Sequence, residues 1–99
     1  MAIQFATPSI TIPLGTGRRS IQSTVSFSGR VVRAGVALNG FKIDYDDDDH
    51  HINIVEVDTD LVRISGGTVV FNVECQYADK NFDDKYSGYV TALIIAETA

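Results

Sequence analysis

Residues Thr68 to Tyr77 alternate between two faces. Val69, Phe71, Val73, Cys75 and Tyr77 fall on one side, and Asn72, Glu74 and Gln76 on the other. A period of two suits a pleated strand, whose side chains point alternately to opposite faces, and does not suit a helix. One face of this strand is expected to meet a core. The other is expected to meet water or a partner subunit.

The rest of the chain repeats the theme with more punctuation. Pro8 and Pro13 bracket Ser9-Ile-Thr-Ile12, so residues 1 to 16 read as an irregular or edge segment, because proline has no donor for a sheet ladder. Arg19 to Phe27 alternates again, and Val31 to Tyr45 is long, with Gly35 and Gly40 suggesting bends or bulges. Ile52 to Val57 is the next strand, with a parity shift at Val55 that hints at a bulge or at two covered faces, and Leu61 to Ile64 is a short one. Ser65-Gly66-Gly67 is a turn, since paired glycines readily supply positive φ. Ser87 to Ala96 is apolar on both faces and is expected to be central. About six or seven strands at this spacing predict an all-β antiparallel sandwich, one domain over residues 1–99. Phe27, Phe41 and Phe71 are expected core side chains, each contributing on the order of 1.5–3 kcal/mol when buried.

No apolar run approaches the roughly 18 residues of a membrane span. Residues 1 to 16 lack a signal-peptide pattern, which leaves the compartment unknown: cytoplasmic, or exported without a classical signal. Cys75 is the single cysteine. On the apolar side of its strand it reads as a buried, inert thiol.

The net charge of -5 is unevenly placed. Residues 1 to 43 carry Arg18, Arg19, Arg30, Arg33 and Lys42 and no acid. Residues 44 to 99 carry all 13 acids against Arg63, Lys80 and Lys85. The two parts are expected to attract each other within or between subunits. The overall acidity argues against nucleic acid as a partner.

Candidate chemistry is sparse. Asp46-Asp-Asp-Asp49 concentrates carboxylates that a hard cation would relieve, giving a weak calcium possibility beside the plainer reading of a solvated turn. Counting from Asp44, the sixth position is Asp49 rather than glycine and the twelfth is Val55 rather than glutamate, which departs from a calcium loop. His50 and His51 are adjacent and on a strand would point to opposite faces. Gly15-Thr-Gly17-Arg-Arg-Ser20 reads as a turn, with an anion cradle as the sharper alternative. No nucleophile elbow or paired acid and base stands out, so no enzyme is expected. Tyr77, Tyr86 and Tyr89 flank the polar 79–85 loop. Rings beside planar polar groups suit a sugar, whose apolar face stacks while its hydroxyls hydrogen-bond.

At this point the chain resembles the H-type lectins, the discoidin C-terminal and snail agglutinin type, over residues 25 to 97. Val25-Ser-Phe27, Arg33-Ala-Gly-Val-Ala-Leu38, Phe71-Asn-Val-Glu-Cys75 and Lys85-Tyr-Ser87, followed by a strand ending in Ile95-Ala-Glu97, match that family's strand pattern in order and spacing. The resemblance implies a six-stranded sandwich, a homotrimer or hexamer, and binding of N-acetylgalactosamine or galactose; apart from the weak calcium possibility at Asp46–Asp49, no cofactor is expected. A carbohydrate-binding module is expected, in which Tyr77 and Tyr86 stack or cap and Asn53 and Asp79 bond hydroxyls; of these the resemblance matches Tyr86, in its closing motif. Asn53 stands near the family's arginine position, and the family's tryptophan–histidine region reads Tyr77-Ala78-Asp79 here. Those replacements favour an alternative expectation: a structural protein, such as a virion or fibre component, that reuses the sandwich for assembly alone.

Overall fold

A computed structural model describes residues 1–46, 54–78 and 85–99. These residues form seven strands: β1 (Ala2–Ala6), β2 (Ser9–Gly15), β3 (Arg19–Ser26), β4 (Val31–Tyr45), β5 (Ile54–Ser65), β6 (Thr68–Ala78) and β7 (Tyr86–Thr98). No helix occurs among the described residues. All pairings are antiparallel, in two packed sheets. The all-β sandwich expected from the alternation is present.

One sheet is built around β7. β4 runs along one side of it, and β1 and β2 share the other, β1 against Ile94–Thr98 and β2 against Tyr86–Thr91. The second sheet has the order β3-β6-β5. Each sheet thus has one inner strand, β7 or β6; β6 alternates and β7 is apolar on both faces. Val69, Phe71, Val73 and Cys75 of β6 are fully buried, as are Tyr86, Val90, Ala92, Ile94 and Ala96 of β7. Ile10, Ile12, Val31 and Ile43 complete the core between the layers. The molecule measures 51 × 17 × 17 Å over its Cα atoms, a long and narrow sandwich.

Several local expectations change. Residues 1 to 16 are not irregular: they form two strands, β1 and β2, and only their edge position agrees with the reading of the prolines. Pro8 sits at the bend between them, where its carbonyl accepts the Ala92 N–H at 3.0 Å. Pro13 lies where the β2–β7 register shifts between Ile12 and Gly15, so its missing donor interrupts no regular ladder. The two short pieces anticipated between residues 52 and 64 are one strand, β5. Its bulge falls at Leu61/Arg63, not beside Val55. β4 shifts register at Val31/Arg33 and at Leu38/Gly40; Gly35 lies in unbroken pairing with Ile95. Phe41 is 46% exposed rather than a core residue. β4 is an outer strand, so Phe41, although paired with buried Val90, has no neighbouring strand to cover its far side.

The turn at Gly66–Gly67 also ties the two sheets together. Gly66 has φ +59, and its carbonyl and that of Gly67 accept the N–H groups of Val31 and Phe27 at 2.9 and 2.8 Å. A side chain at Gly67 would meet the carbonyl of Gly29 at 2.6 Å, which explains a glycine there.

Candidate functional site

Three of the four tyrosines gather at one end of the sandwich, while Tyr89 is 44% exposed. Tyr45 closes β4, Tyr77 lies near the end of β6 and Tyr86 opens β7. Tyr45 and Tyr86 are register partners. The Tyr45 and Tyr77 rings are 4.5 Å apart and tilted by 45°, and the Tyr77 and Tyr86 rings meet edge-on at 6.1 Å. Both spacings lie within the favourable range for aromatic pairs.

Tyr86 is the buried member, with no exposed surface. Its hydroxyl donates to the Gly17 carbonyl at 2.5 Å and accepts from Arg19 Nε at 3.3 Å. The Arg19 guanidinium lies over the Tyr86 ring, 4.5 Å from the centroid, and also donates to the Tyr86 carbonyl. Cys75 Sγ is 3.9 Å from the same hydroxyl. Burial raises the phenol above its ordinary range, while the hydrogen bond from Arg19 pulls it back in part. Gly15 makes the stack possible: a Cβ there would sit 2.5 Å from an Arg19 guanidinium nitrogen.

The expected site residues therefore divide. Tyr77 and Tyr86 come together, but Tyr86 is enclosed and offers no ring face to a ligand. Its part in this cluster is to hold Arg19, Gly17 and Tyr77 in place. Tyr77 is only partly buried and retains surface. Asn53 and Asp79 lie outside the described residues. Their chain neighbours Ile54 and Ala78 are register partners at the same end of the sheet. Of the acidic run, Asp46 is described and Asp47–Asp49 are not. Among the described residues no group of three or more His, Cys, Asp or Glu side chains is placed to hold a metal.

Sequence reasoning missed Tyr45, Gly15 and the inward role of Arg19. The signal for Arg19 was present: it shares the odd-numbered, core-facing parity of Ile21 and Val25. The anion-cradle alternative for the Gly15–Ser20 segment has little left to work with. Arg19 is spent on Tyr86, and Arg18 is held by Glu56 and by Glu74 at 2.7 Å. The two carboxylates hold the Arg18 guanidinium above its usual value, through the hydrogen bond to Glu74 first and then that to Glu56. Arg33 pairs with Glu97 at 2.6 Å. Basic residues of the first part of the chain thus meet acids of the second part within one molecule. Cys75 is free and buried, as its strand parity indicated.

No family model, curated protein or solved structure matches this chain.

Proposed function

We propose that this chain is a non-catalytic, lectin-like carbohydrate-binding module that acts as a homo-oligomer, a trimer or its multiple. The observation that carries the reading is the half-buried Tyr77 ring, fixed by Tyr45 and Tyr86 at the end of the sandwich from which the segments bearing Asn53 and Asp79 depart. A fixed ring loses little freedom on stacking against a sugar, and planar amide and carboxylate groups suit paired hydroxyls. The order and spacing of the H-type strand motifs support the same reading. Weak single sites would gain from several copies in one assembly.

A glycan array probed with the full-length oligomer tests this. Binding to galactose-type glycans is expected, with Tyr77→Ala weakening it roughly tenfold or more, about 1.4 kcal/mol, while the fold persists. Because the chain has no tryptophan, tyrosine emission would follow the titration directly. A folded wild-type protein that binds no glycan would sink the proposal. It would favour the second reading, a structural subunit that reuses the sandwich for assembly. The enclosure of Tyr86 is the specific observation on that side.

A further inference from the structure

An outer strand shows unpaired backbone groups with which a further strand can pair, and bulges, prolines, charges or short length guard against this. Most outer strands here are guarded. β4 shifts register twice, β5 shifts once and carries Asp58 and Asp60, β2 has Pro13 at its own shift, and β1 is only five residues long. β3 has none of these devices. Its eight residues pair with β6 in one unbroken register. After Arg19 it runs Ser20-Ile-Gln-Ser-Thr-Val-Ser26, without charge, proline or glycine. On the other flank of the sandwich β4 and β5 lie close together, whereas β3 comes close along its length only to β6.

The phase of the ladder identifies the free groups. The Phe27 N–H donates to the Gly67 carbonyl at 2.8 Å, in continuation of the Ser26–Thr68 register. Bonded and non-bonded pairs alternate along an antiparallel ladder. Val25, Ser23 and Ile21 therefore bond β6, while Ser26, Thr24, Gln22 and Ser20 turn their N–H and C=O groups to the open edge. Among the described residues no backbone or side-chain group bonds them there. The core-facing rows also stop at this strand. Val73 and Val69 have no exposed surface, but their partners Ile21 and Val25 are only half-buried.

We propose that β3 takes up an extended, basic segment of another protein as a further strand of its sheet. The free donors and acceptors select the kind of occupant. They recur at every second residue along a straight edge, a repeat that extended backbone matches and a helix does not. The rows select half of its side chains: apolar residues at alternate positions would prolong the Val73–Ile21 and Val69–Val25 rows and cover their open ends. Charge selects the other half. On the outward side of this sheet Glu56, Asp58, Asp60 and Glu74 outnumber Arg18 and Arg63, and the chain as a whole carries -5. Lysine or arginine at the outward positions is drawn to that surface, and acid is repelled. This strand addition depends on neither the sugar nor the homo-oligomer.

Titration of the full chain with a short peptide alternating valine and lysine tests the proposal, against a peptide of the same composition whose valines are grouped apart from its lysines. The alternating peptide is expected to bind roughly tenfold tighter or more. It is also expected to slow amide exchange at Ser20, Gln22, Thr24 and Ser26, with the outer edges of β4 and β5 unchanged. Gln22→Pro removes an open-edge donor and no ladder bond, and is expected to weaken binding by roughly tenfold or more with an unchanged β-type circular dichroism spectrum. Should Gln22→Pro fail to fold, the exchange pattern of the wild type decides. Absence of binding at millimolar peptide overturns the proposal. So does equal binding of the two peptides, which would be charge attraction alone, or slowed exchange on a different edge. If the same four amides slow without peptide as protein concentration rises, a second copy occupies the edge and the proposed occupant is wrong.

Discussion

Phe71→Ala is expected to destabilise the fold by about 3–5 kcal/mol. Phe71 has no exposed surface and sits on β6, the inner strand of its sheet. Its register partners are Ser23 and Leu61, one small and one only partly buried, so neither fills the space the ring would leave. A domain of this size is stable by roughly 5–15 kcal/mol, so the variant would lose a large part of its margin. Chemical denaturation would show the midpoint falling with little change in slope. Thermal unfolding would show a drop of roughly 15 °C or more. A change under about 1 kcal/mol would mean that the ring is not enclosed between two layers.

Gly88→Ala is expected to be nearly as damaging, for the opposite reason. Gly88 lies in β7 between Ile12 on β2 and Ile43 on β4. A Cβ at this position would drive into the carbonyl of Lys42, with Ile43 Cα 3.0 Å away. These are backbone atoms of a neighbouring strand and cannot rotate aside as a side chain tip can. Relief requires β4 to move away from the central strand, at a cost of about 3 kcal/mol, the upper end of what overpacking usually takes. The variant is expected to unfold at lower denaturant, with weakened protection of the amides on β4 that face β7. Gly35→Ala serves as the contrast. It sits on the same strand pair with nothing within 4 Å of its Cβ position, and its effect should be small.

What the amino-acid order revealed about the fold follows from how far each strand is covered. β6 and β7 are buried, so their patterns were strict or apolar throughout, and both were legible. β1 and β2 lie on an edge and turn one side to solvent. Their short apolar runs and two prolines resembled a loop, and only pairing with β7 made them strands. β5 carries Asp58 and Asp60 between its two apolar pieces, and aspartate also suits turns. On an outer strand with one face in water they simply alternate with Val57, Thr59 and Leu61.

At the candidate site, proximity to the polar loop groups Tyr77, Tyr86 and Tyr89, of which the rings of Tyr77 and Tyr86 meet and Tyr89 stays exposed. Burial was not legible there, because a tyrosine is apolar at the ring and polar at the tip and suits either environment. What encloses Tyr86 is Arg19, brought in from 67 residues away, together with a glycine at position 15 that clears its path. Such a contact has no local signature beyond an arginine on the inward parity of a strand.

Amide hydrogen exchange tests most directly the central claim, that β6 and β7 are the inner strands of two packed sheets. Each is paired on both sides, so opening its amides requires the sheets to come apart. The slowest exchange is expected within Val69–Cys75 and Val90–Ala96, at rates set by global unfolding, with Ile3 and Phe5 of the edge strand β1 exchanging much sooner. If the amides of Phe71, Val73, Ala92 and Ile94 exchanged as fast as those of the Gly66–Gly67 turn, the two-layer account would be contradicted.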